Sequence, residues 1–283
     1  MYTLYGTQSS GSCIVEIALQ RCGVPWQQVD ASPWGDGAGM EALGQINPLR
    51  QIPTLQLPDG SVLTESAAIL IHLGLAYPAS DFLSGHRAQI IRGLVYIAAN
   101  CYSAITIIDY PQRFLADADE TVQAQLIAGT QQKLHRTWQV FAEQFAGQLF
   151  TPQGLPNALG IMAAAVSRWE GGRDVLRHSH PACAQALARV DADPQVAPVF
   201  AWHWPDEPWQ SEETMSLEAP RALASRASWP TLSDSRVGII LEIDCRRHET
   251  QKLCMELEGG THARPVADPG YLDGVYGAVV GCG

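Results

Sequence analysis

The stretch NPLRQIPTLQLPDGSVLTESAAILIHL, residues 47–73, decides the fold of the N-terminal part of this chain. Two short apolar runs, at 54–57 and 61–63, flank the triplet Pro58, Asp59 and Gly60, whose turn chemistry predicts a β-hairpin. The apolar residues that follow predict a helix from Glu65 to about residue 77. The stretch therefore predicts a β-β-α unit.

The residues upstream extend this unit. Residues 2–6 alternate as a half-buried strand, and residues 13–21 carry apolar side chains at Ile14, Ile17 and Ala18 before a Gly-Val-Pro stop, which predicts a helix. Residues 26–29 predict a second strand, and a short helix then ends near Asn47, because the residue before a proline is disfavoured in a helix. The order β-α-β-α-β-β-α predicts a mixed sheet with helices packed on it.

The hydrophobic pattern becomes helical after residue 85. Helices are predicted at about 86–114, 121–146, 157–169, 181–190 and 196–202. Spacings of three and four residues in the first of these join Ile90, Leu94, Ile97, Cys101, Ile105 and Ile108. We therefore predict an α/β domain at 1–78 and an all-α domain at 86–205. The pattern weakens at 206–283, which supplies little core of its own, so we favour a flexible extension there over the alternative of a small appended β unit.

Composition narrows the function classes. The chain has 283 residues, of which 46% are hydrophobic and 17% charged, and a formal net charge of -11, which argues against nonspecific nucleic-acid binding. We expect no transmembrane helix, because no apolar run approaches the length that a membrane span needs, and no secretory leader. These features together predict a cytoplasmic protein that does not associate with membranes.

The cysteines and histidines predict no metal centre. The seven cysteines are far apart and form no C-x-x-C pair, so we interpret them as free thiols. His178 and His180 form an H-x-H pair, which by itself is weak evidence for a metal, and we interpret both as surface residues.

Ser9, Ser10 and Ser12 lie where the first helix begins, directly before Cys13. Hydroxyl donors and helix N–H groups stabilise a thiolate, so this cluster is a candidate for activating a bound thiol. The alternative is helix capping, which we favour for Ser12. Cys13 is a rival nucleophile, unless its side chain lies in the helix–sheet interface as a small apolar residue.

These motifs together resemble the soluble glutathione transferases. The resemblance rests on the strand-serine-helix opening, the Ile-Pro-Thr-Leu and Thr-Glu-Ser steps within 47–73, and the later stretches AAAVSRWEGG and VDADPQVAPVFAWHWP, and it extends from residue 1 to about 205. It implies a thioredoxin-like N-terminal domain that binds glutathione as a co-substrate. It also implies an all-α C-terminal domain and a homodimer.

The resemblance further implies the residues that hold glutathione. Pro53 is cis in this family, and Gln51 and Ile52 precede it, with the main chain of Ile52 pairing with the ligand. Ser66 is expected to hold the γ-glutamyl carboxylate and Glu65 the ammonium group. The alternatives are an ordinary edge-strand proline and a simple helix cap with an acid in the first turn.

The serine cluster is similar to the SSCS stretch of zeta-class transferases. Alignment through IVEIAL places Ser9 and Ser10 on the two serines of that stretch and Gly11 on its cysteine. The resemblance implies Ser9, with Ser10 beside it, as the catalytic donor to the glutathione thiolate. The missing cysteine counts against a mixed disulfide at residue 11. Tyr5 lies within the predicted strand and is a weaker candidate.

The helical half offers a candidate pocket for the second substrate. Tyr96, Asn100 and Ser103 share a stripe by their spacing and are candidates to line a pocket for an apolar electrophile, although a solvated face is an equal alternative.

Further along, Asn157 is a good helix cap, whereas Gly160 lies where a capping acid is common and predicts a weaker helix.

The expected function is a glutathione transferase that conjugates the glutathione thiolate to small apolar electrophiles. One alternative is a glutathione-dependent isomerase or thiol reductase, suggested by the zeta-like serines and by Cys13 respectively. Another is a noncatalytic glutathione-transferase-like interaction module that uses residues 206–283 to bind a partner.

Overall fold

The N-terminal part forms the mixed sheet that the sequence predicts. The computed structural model describes residues 1–35 and 37–205. Within them, β1 (Tyr2–Gly6), β2 (Trp26–Asp30), β3 (Thr54–Gln56) and β4 (Val62–Leu63) form a sheet of order β2-β1-β3-β4. β1 is parallel to β2 and antiparallel to β3, and β3 pairs antiparallel with β4 as the predicted hairpin.

Three helices connect and cover these strands. They are α1 (Ser12–Cys22), α2 (Ala38–Ile46) and α3 (Ser66–Ala76). The predicted apolar positions of α1, Ile14, Ile17 and Ala18, are all buried, and α1 ends at Gly23, whose φ of 64° suits glycine. The predicted element order is therefore confirmed, and with it the thioredoxin-like class of this part.

The rest of the described chain is helical, as predicted. Its helices are α4 (Arg87–Tyr96), α5 (Ser103–Asp109), α6 (Glu120–Phe145), α7 (Ala158–Val166), α8 (Gly172–Ser179), α9 (Pro181–Asp191) and α10 (Ala197–His203). α8 was not predicted, because Val175 and Leu176 are its only large apolar residues and they give no periodic stripe. All described residues belong to one compact unit, in which α1 and α3 pack against the fully buried α7. The predicted extension at 206–283 lies outside the described residues.

The predicted long helix at 86–114 is wrong in two respects. It ends at Asp109, and a π-helical turn, Ile97–Tyr102, separates α4 from α5. A π turn closes its hydrogen bonds over one more residue than an α turn. The three-and-four spacing that places Tyr96, Asn100 and Ser103 on one stripe therefore does not hold through this segment.

The same run also corrects the statement that no apolar segment reaches membrane-spanning length. The 23 residues Arg87–Asp109 have a mean hydropathy of 1.4 over an 18-residue window, long and apolar enough to cross a membrane. However, Ile90, Leu94, Ile97 and Cys101 are buried in the helical core, and core helices of soluble proteins have the same composition.

A buried ion cluster joins α8 to α9. The carboxylate of Asp191 accepts hydrogen bonds from Arg173 at 2.6 Å and 3.3 Å, and a nitrogen of Arg168 lies 3.3 Å from the same carboxylate. Arg173 also donates to the Ser167 hydroxyl at 3.0 Å and to the carbonyl of Ala164 at 2.8 Å. Its side chain and that of Asp191 are 12% and 8% exposed, so the cluster ties the end of α7 to both later helices.

Asn157 caps α7 as predicted, because its side-chain oxygen accepts from the N–H of Gly160 at 3.0 Å. The absence of a side chain at position 160 has a structural reason that the sequence does not reveal. A Cβ atom there would lie 2.3 Å from the carbonyl oxygen of Leu149. This oxygen belongs to the backbone and cannot move away by a side-chain rotation. The helix start is therefore packed too closely for any side chain.

We expect Gly160→Ala to destabilise the protein even though alanine favours helices. Overpacking costs about 1–3 kcal/mol and the helix preference returns about 1 kcal/mol, so the net loss is up to about 2 kcal/mol. The matched control is Gly129→Ala in α6, where nothing lies within 4 Å and alanine should stabilise. Urea unfolding measures both, and midpoints that move in the same direction for the two variants would contradict the close packing at Gly160.

Candidate functional site

The N-terminus of α1 has Gly11 as its N-cap residue, which offers no side chain. The Ser12 hydroxyl donates to the carbonyl of Thr7 and caps no helix N–H group, so the predicted capping role of Ser12 is wrong. The N–H of Ser12 is instead 3.2 Å from the Ser10 hydroxyl oxygen. Among the described residues, the N–H groups of Ser10 and Gly11 have no acceptor, and such groups at a helix start attract an anion.

Both serines predicted to be catalytic already donate hydrogen bonds within the chain. The buried Ser10 hydroxyl donates to the carbonyl of Thr7 at 2.6 Å and lies 2.9 Å from the Ser12 hydroxyl. Ser9 is exposed and has a φ of 57°, and its hydroxyl donates to the carbonyl of His203 at 2.7 Å. Each hydroxyl has one proton, so either serine must give up its present bond to donate to a ligand.

A second contact holds the end of α10 to α1. Nε2 of the fully buried His203 lies 2.8 Å from a carboxylate oxygen of Glu16, and because a carboxylate only accepts, this nitrogen carries the proton. The side chain of Gln8 donates to the carbonyl of Trp202 at 2.6 Å. The segment with the serines is therefore hydrogen-bonded to the last described helix. The residues joined by the Ser9 bond are 194 positions apart in the sequence.

The turn before β3 has the predicted geometry. The Ile52–Pro53 peptide bond is cis, as the resemblance implies. The carbonyl of Gln51 accepts from Asn47 at 3.1 Å and from Thr54 at 2.7 Å, which fixes the turn. Pairing of β3 with β1 ends at Thr54, so the main chain of Ile52 lies beyond the last ladder pair.

Glu65 and Ser66 occupy the start of α3. Glu65 is exposed and has a φ of 66°, a region that non-glycine residues rarely adopt and that recurs at ligand sites. Ser66 is buried and begins the 11-residue helix. An exposed carboxylate and a buried hydroxyl at a helix N-terminus suit a ligand that has both an ammonium and a carboxylate group.

Tyr102, which the sequence analysis did not single out, meets this site. An ideal Cβ on Gly11 would lie 2.6 Å from the Tyr102 hydroxyl oxygen and 3.9 Å from Pro53. Burial raises the pKa of the Tyr102 phenol, and the nearby Ser66 hydroxyl opposes the rise without forming a good hydrogen bond. The phenol oxygen thus lies where the starts of α1 and α3 and the cis proline come together.

The other candidate nucleophile and donor lie in the core. Cys13 is 0% exposed, and burial together with the nearby Glu16 carboxylate raises the pKa of its thiol well above the usual range. A thiol in that state is not a reactive thiolate. Tyr5 lies within β1 and packs in a small apolar cluster with Ala31 and Leu43.

The predicted electrophile-pocket residues have contacts elsewhere in the helical half. The Tyr96 hydroxyl donates to the carbonyl of Thr137 at 2.9 Å, and its ring lies 5.3 Å from that of Phe145 in α6. The side chains of Asn100 and Ser103 donate to backbone carbonyls one turn earlier in the same helix. The ring of Tyr102, by contrast, lies 6.0 Å from that of Trp169 beside the site.

Two further features lie apart from this region. An open depression of about 550 Å³ beside α6 and α8 includes His135 and His178, and His178 is exposed as predicted. Within residues 1–35 and 37–205, no group of three or more His, Cys, Asp or Glu side chains is placed to hold a metal ion. Neither feature adds a chemical group to the starts of α1 and α3.

Comparison with known proteins agrees with this geometry. Residues 12–75 match the glutathione S-transferase N-terminal domain. The uncharacterized GST-like protein YncG of Escherichia coli K12 is 37% identical over 133 residues, which cover 45% of this chain and 63% of YncG. The chain thus matches less than two thirds of the length of that relative.

Solved structures show the same fold. A glutathione transferase homologue from Sulfitobacter, with bound glutathione, has a TM-score of 0.61 at 20% identity, covering 71% of this chain and 97% of that one. A glutathione S-transferase from Xylella fastidiosa has a TM-score of 0.59 at 23% identity, with the same coverage. These likenesses confirm the predicted fold class, a thioredoxin-like domain followed by the helical part of a glutathione transferase. The chain is thus similar to glutathione transferases in its N-terminal sequence, over residues 12–75, and in its fold.

Proposed function

We propose that this protein is a glutathione transferase that binds glutathione across the starts of α1 and α3 and conjugates it to small apolar electrophiles. The observation that carries the proposal is the convergence of the starts of α1 and α3 and cis-Pro53 on one point. Two neighbouring helix starts suit a dianionic ligand, which offers a carboxylate to α3 and a thiolate to the N–H groups of Ser10 and Gly11 before α1.

The roles follow the geometry from one end of the ligand to the other. Ser66 and the N–H groups at the start of α3 hold the γ-glutamyl carboxylate, while exposed Glu65 holds its ammonium group. The main chain of Ile52 pairs with the peptide groups of the ligand. The sulfur lies at the start of α1, where the N–H groups of Ser10 and Gly11 favour the thiolate, and Ser9 becomes a donor when it releases the carbonyl of His203.

The second substrate lies on the helical side of the sulfur. The rings of Tyr102, Trp169 and Trp204 form a row there, with centroid separations of 6.0 Å and 6.3 Å, and each is partly exposed. An apolar, aromatic surface favours an apolar electrophile over a charged one. A homodimer in the cytoplasm is part of the same proposal, which sedimentation and cell fractionation test.

We expect glutathione to bind with measurable heat and 1-chloro-2,4-dinitrobenzene to be turned over. Ser66→Ala should weaken binding about tenfold to a hundredfold, because hydrogen bonds to charged groups contribute about 1.5–3 kcal/mol. Ser61→Ala is the matched control, since that hydroxyl is exposed and bonds only to Asp59. Titration calorimetry gives the affinities, and absence of heat with millimolar glutathione, while ligand-free controls remain folded, would overturn the proposal.

Two further variants separate transfer from thiol chemistry of the protein. Ser9→Ala should lower turnover, whereas Cys13→Ser should not abolish it, because the Cys13 thiol is buried and its pKa is raised. The opposite result, unchanged turnover in Ser9→Ala and none in Cys13→Ser, would favour a thiol reductase.

A further inference from the structure

The Tyr102 hydroxyl is a buried polar group with no partner among the described residues. Such a group destabilises a fold, since it loses hydration and gains no hydrogen bond. Native proteins keep few of them, and each calls for an explanation such as a role in ligand binding. The ring itself is held in place by packing against Trp169 and by its position in the π turn, a feature frequent at functional sites.

The Tyr102 hydroxyl occupies the space that a side chain at residue 11 would fill, because residue 11 is a glycine. A Cβ atom on Gly11 would come within 2.6 Å of the phenol oxygen, closer than two such atoms can approach. Gly11 is also the N-cap residue of the 11-residue helix α1, and its own N–H group and that of Ser10 have no acceptor among the described residues. The phenol therefore sits beside an anion-attracting helix start at the position from which a residue-11 side chain would act.

Tyr102 also has a proton to give. Ser9 and Ser10 direct their protons to the carbonyls of His203 and Thr7. The phenol proton has no such acceptor, and the raised pKa of the phenol keeps it protonated at neutral pH. A protonated phenol next to a thiolate forms a charge-assisted hydrogen bond, which is shorter and stronger than one between neutral groups.

We propose that the Tyr102 hydroxyl donates a hydrogen bond to the glutathione thiolate at the start of α1, a role that rests on the proposed glutathione binding. Tyr102 is then a catalytic residue supplied by the helical half of the fold. The ligand sulfur gives the phenol the partner that residues 1–35 and 37–205 do not supply.

Tyr102→Phe tests this directly. The thiolate absorption of bound glutathione is followed against pH, with the S-methylglutathione complex as the blank because it has no ionisable thiol. Loss of one charge-assisted bond should raise the pKa of the bound thiol by about one to two. This corresponds to an acid dissociation constant of the bound thiol that is about tenfold to hundredfold smaller. The affinity for S-methylglutathione should stay within about twofold, since that ligand has no thiolate to stabilise.

Tyr110→Phe is the matched control. Tyr110 follows α5, its ring contacts the Arg113 guanidinium at 3.9 Å, and its hydroxyl has no role in the site. This variant should leave the thiol pKa and the turnover of 1-chloro-2,4-dinitrobenzene unchanged. Tyr102→Phe should lower kcat/KM for the conjugation of 1-chloro-2,4-dinitrobenzene about tenfold or more under the same conditions.

Thermal melting of the ligand-free protein separates a catalytic from a structural hydroxyl. Because the phenol oxygen has no hydrogen-bond partner in the described part of the chain, Tyr102→Phe should melt at or above the wild-type temperature while its bound thiol is less acidic. A clearly lower melting temperature would show that the hydroxyl has a structural partner and would contradict the inference.

Gly11→Ala provides an independent test. The φ of -63° at Gly11 permits alanine, so the main effect of the new methyl group is to displace the phenol oxygen. Gly11→Ala should raise the bound-thiol pKa in the wild-type background and change it little in the Tyr102→Phe background. Full additivity of the two substitutions would argue against a shared role.

The failures of the two proposals are distinguishable. If the wild-type protein binds neither glutathione nor S-methylglutathione, the proposed function fails and this inference fails with it. If the wild type binds glutathione and lowers its thiol pKa, but Tyr102→Phe titrates as the wild type does, then only the role of Tyr102 is overturned.

Discussion

Replacement of Asp191 by alanine is expected to lower the free energy of unfolding by about 3–5 kcal/mol, the usual cost of breaking a buried ion pair. Asp191 is the only carboxylate among the described residues that pairs with Arg173, and both side chains are nearly buried. Its loss leaves the Arg173 guanidinium buried with only the Ser167 hydroxyl and the Ala164 carbonyl as acceptors. For a protein of ordinary stability this is a large fraction of the total.

Urea unfolding of Asp191→Ala and Asp174→Ala measures the effect against a matched control. Asp174 pairs with Arg177 on the surface of α8, with side chains 67% and 50% exposed, and such pairs contribute about 0–1 kcal/mol. Equal shifts of the two midpoints would show that the Asp191 cluster is hydrated rather than buried.

Glu16→Ala is expected to cost about 1–3 kcal/mol and to loosen two distant segments together. The substitution leaves Nε2–H of fully buried His203 without its acceptor, and α10 loses its polar contact with α1. Because the Ser9 hydroxyl donates to the carbonyl of His203 and Gln8 to that of Trp202, the serine segment should loosen with α10.

Amide hydrogen exchange reports this coupling. Residues 7–11 and 197–203 should both exchange faster in Glu16→Ala, while Glu143→Ala, whose carboxylate is 49% exposed and 3.9 Å from Arg136, should change neither. Faster exchange confined to 197–203 would show that the serine segment keeps its conformation without α10.

Much of the N-terminal fold was predictable because its signals are local. The Pro58-Asp59-Gly60 turn sets the hairpin, the glycine and proline after α1 end that helix, and period-two alternation marks β1. The cis state of Pro53 came from the resemblance and not from the residues alone. The same resemblance named Glu65 and Ser66, and the structure places both at the start of α3.

The rest of the site depends on contacts that no local pattern encodes. The bond from Ser9 to His203 spans 194 residues, and the Cβ position of Gly11 meets Tyr102 across two different helices. The π turn also breaks the regular three-and-four spacing, so the sequence pattern points to Tyr96 and not to Tyr102. Residues 206–283, where the sequence favours a flexible extension over a small β unit, lie outside the described structure.

The contact between Gly11 and the Tyr102 oxygen also constrains how this chain can change over evolutionary time. A serine or cysteine at residue 11 would collide with the phenol oxygen, so residue 102 has to move or become smaller to accommodate it. A chain in which residue 11 changes first therefore passes through an overpacked ancestor. In a library randomised at both codons, functional survivors should pair a glycine with a large residue or a larger residue with a small one, and seldom combine two bulky side chains.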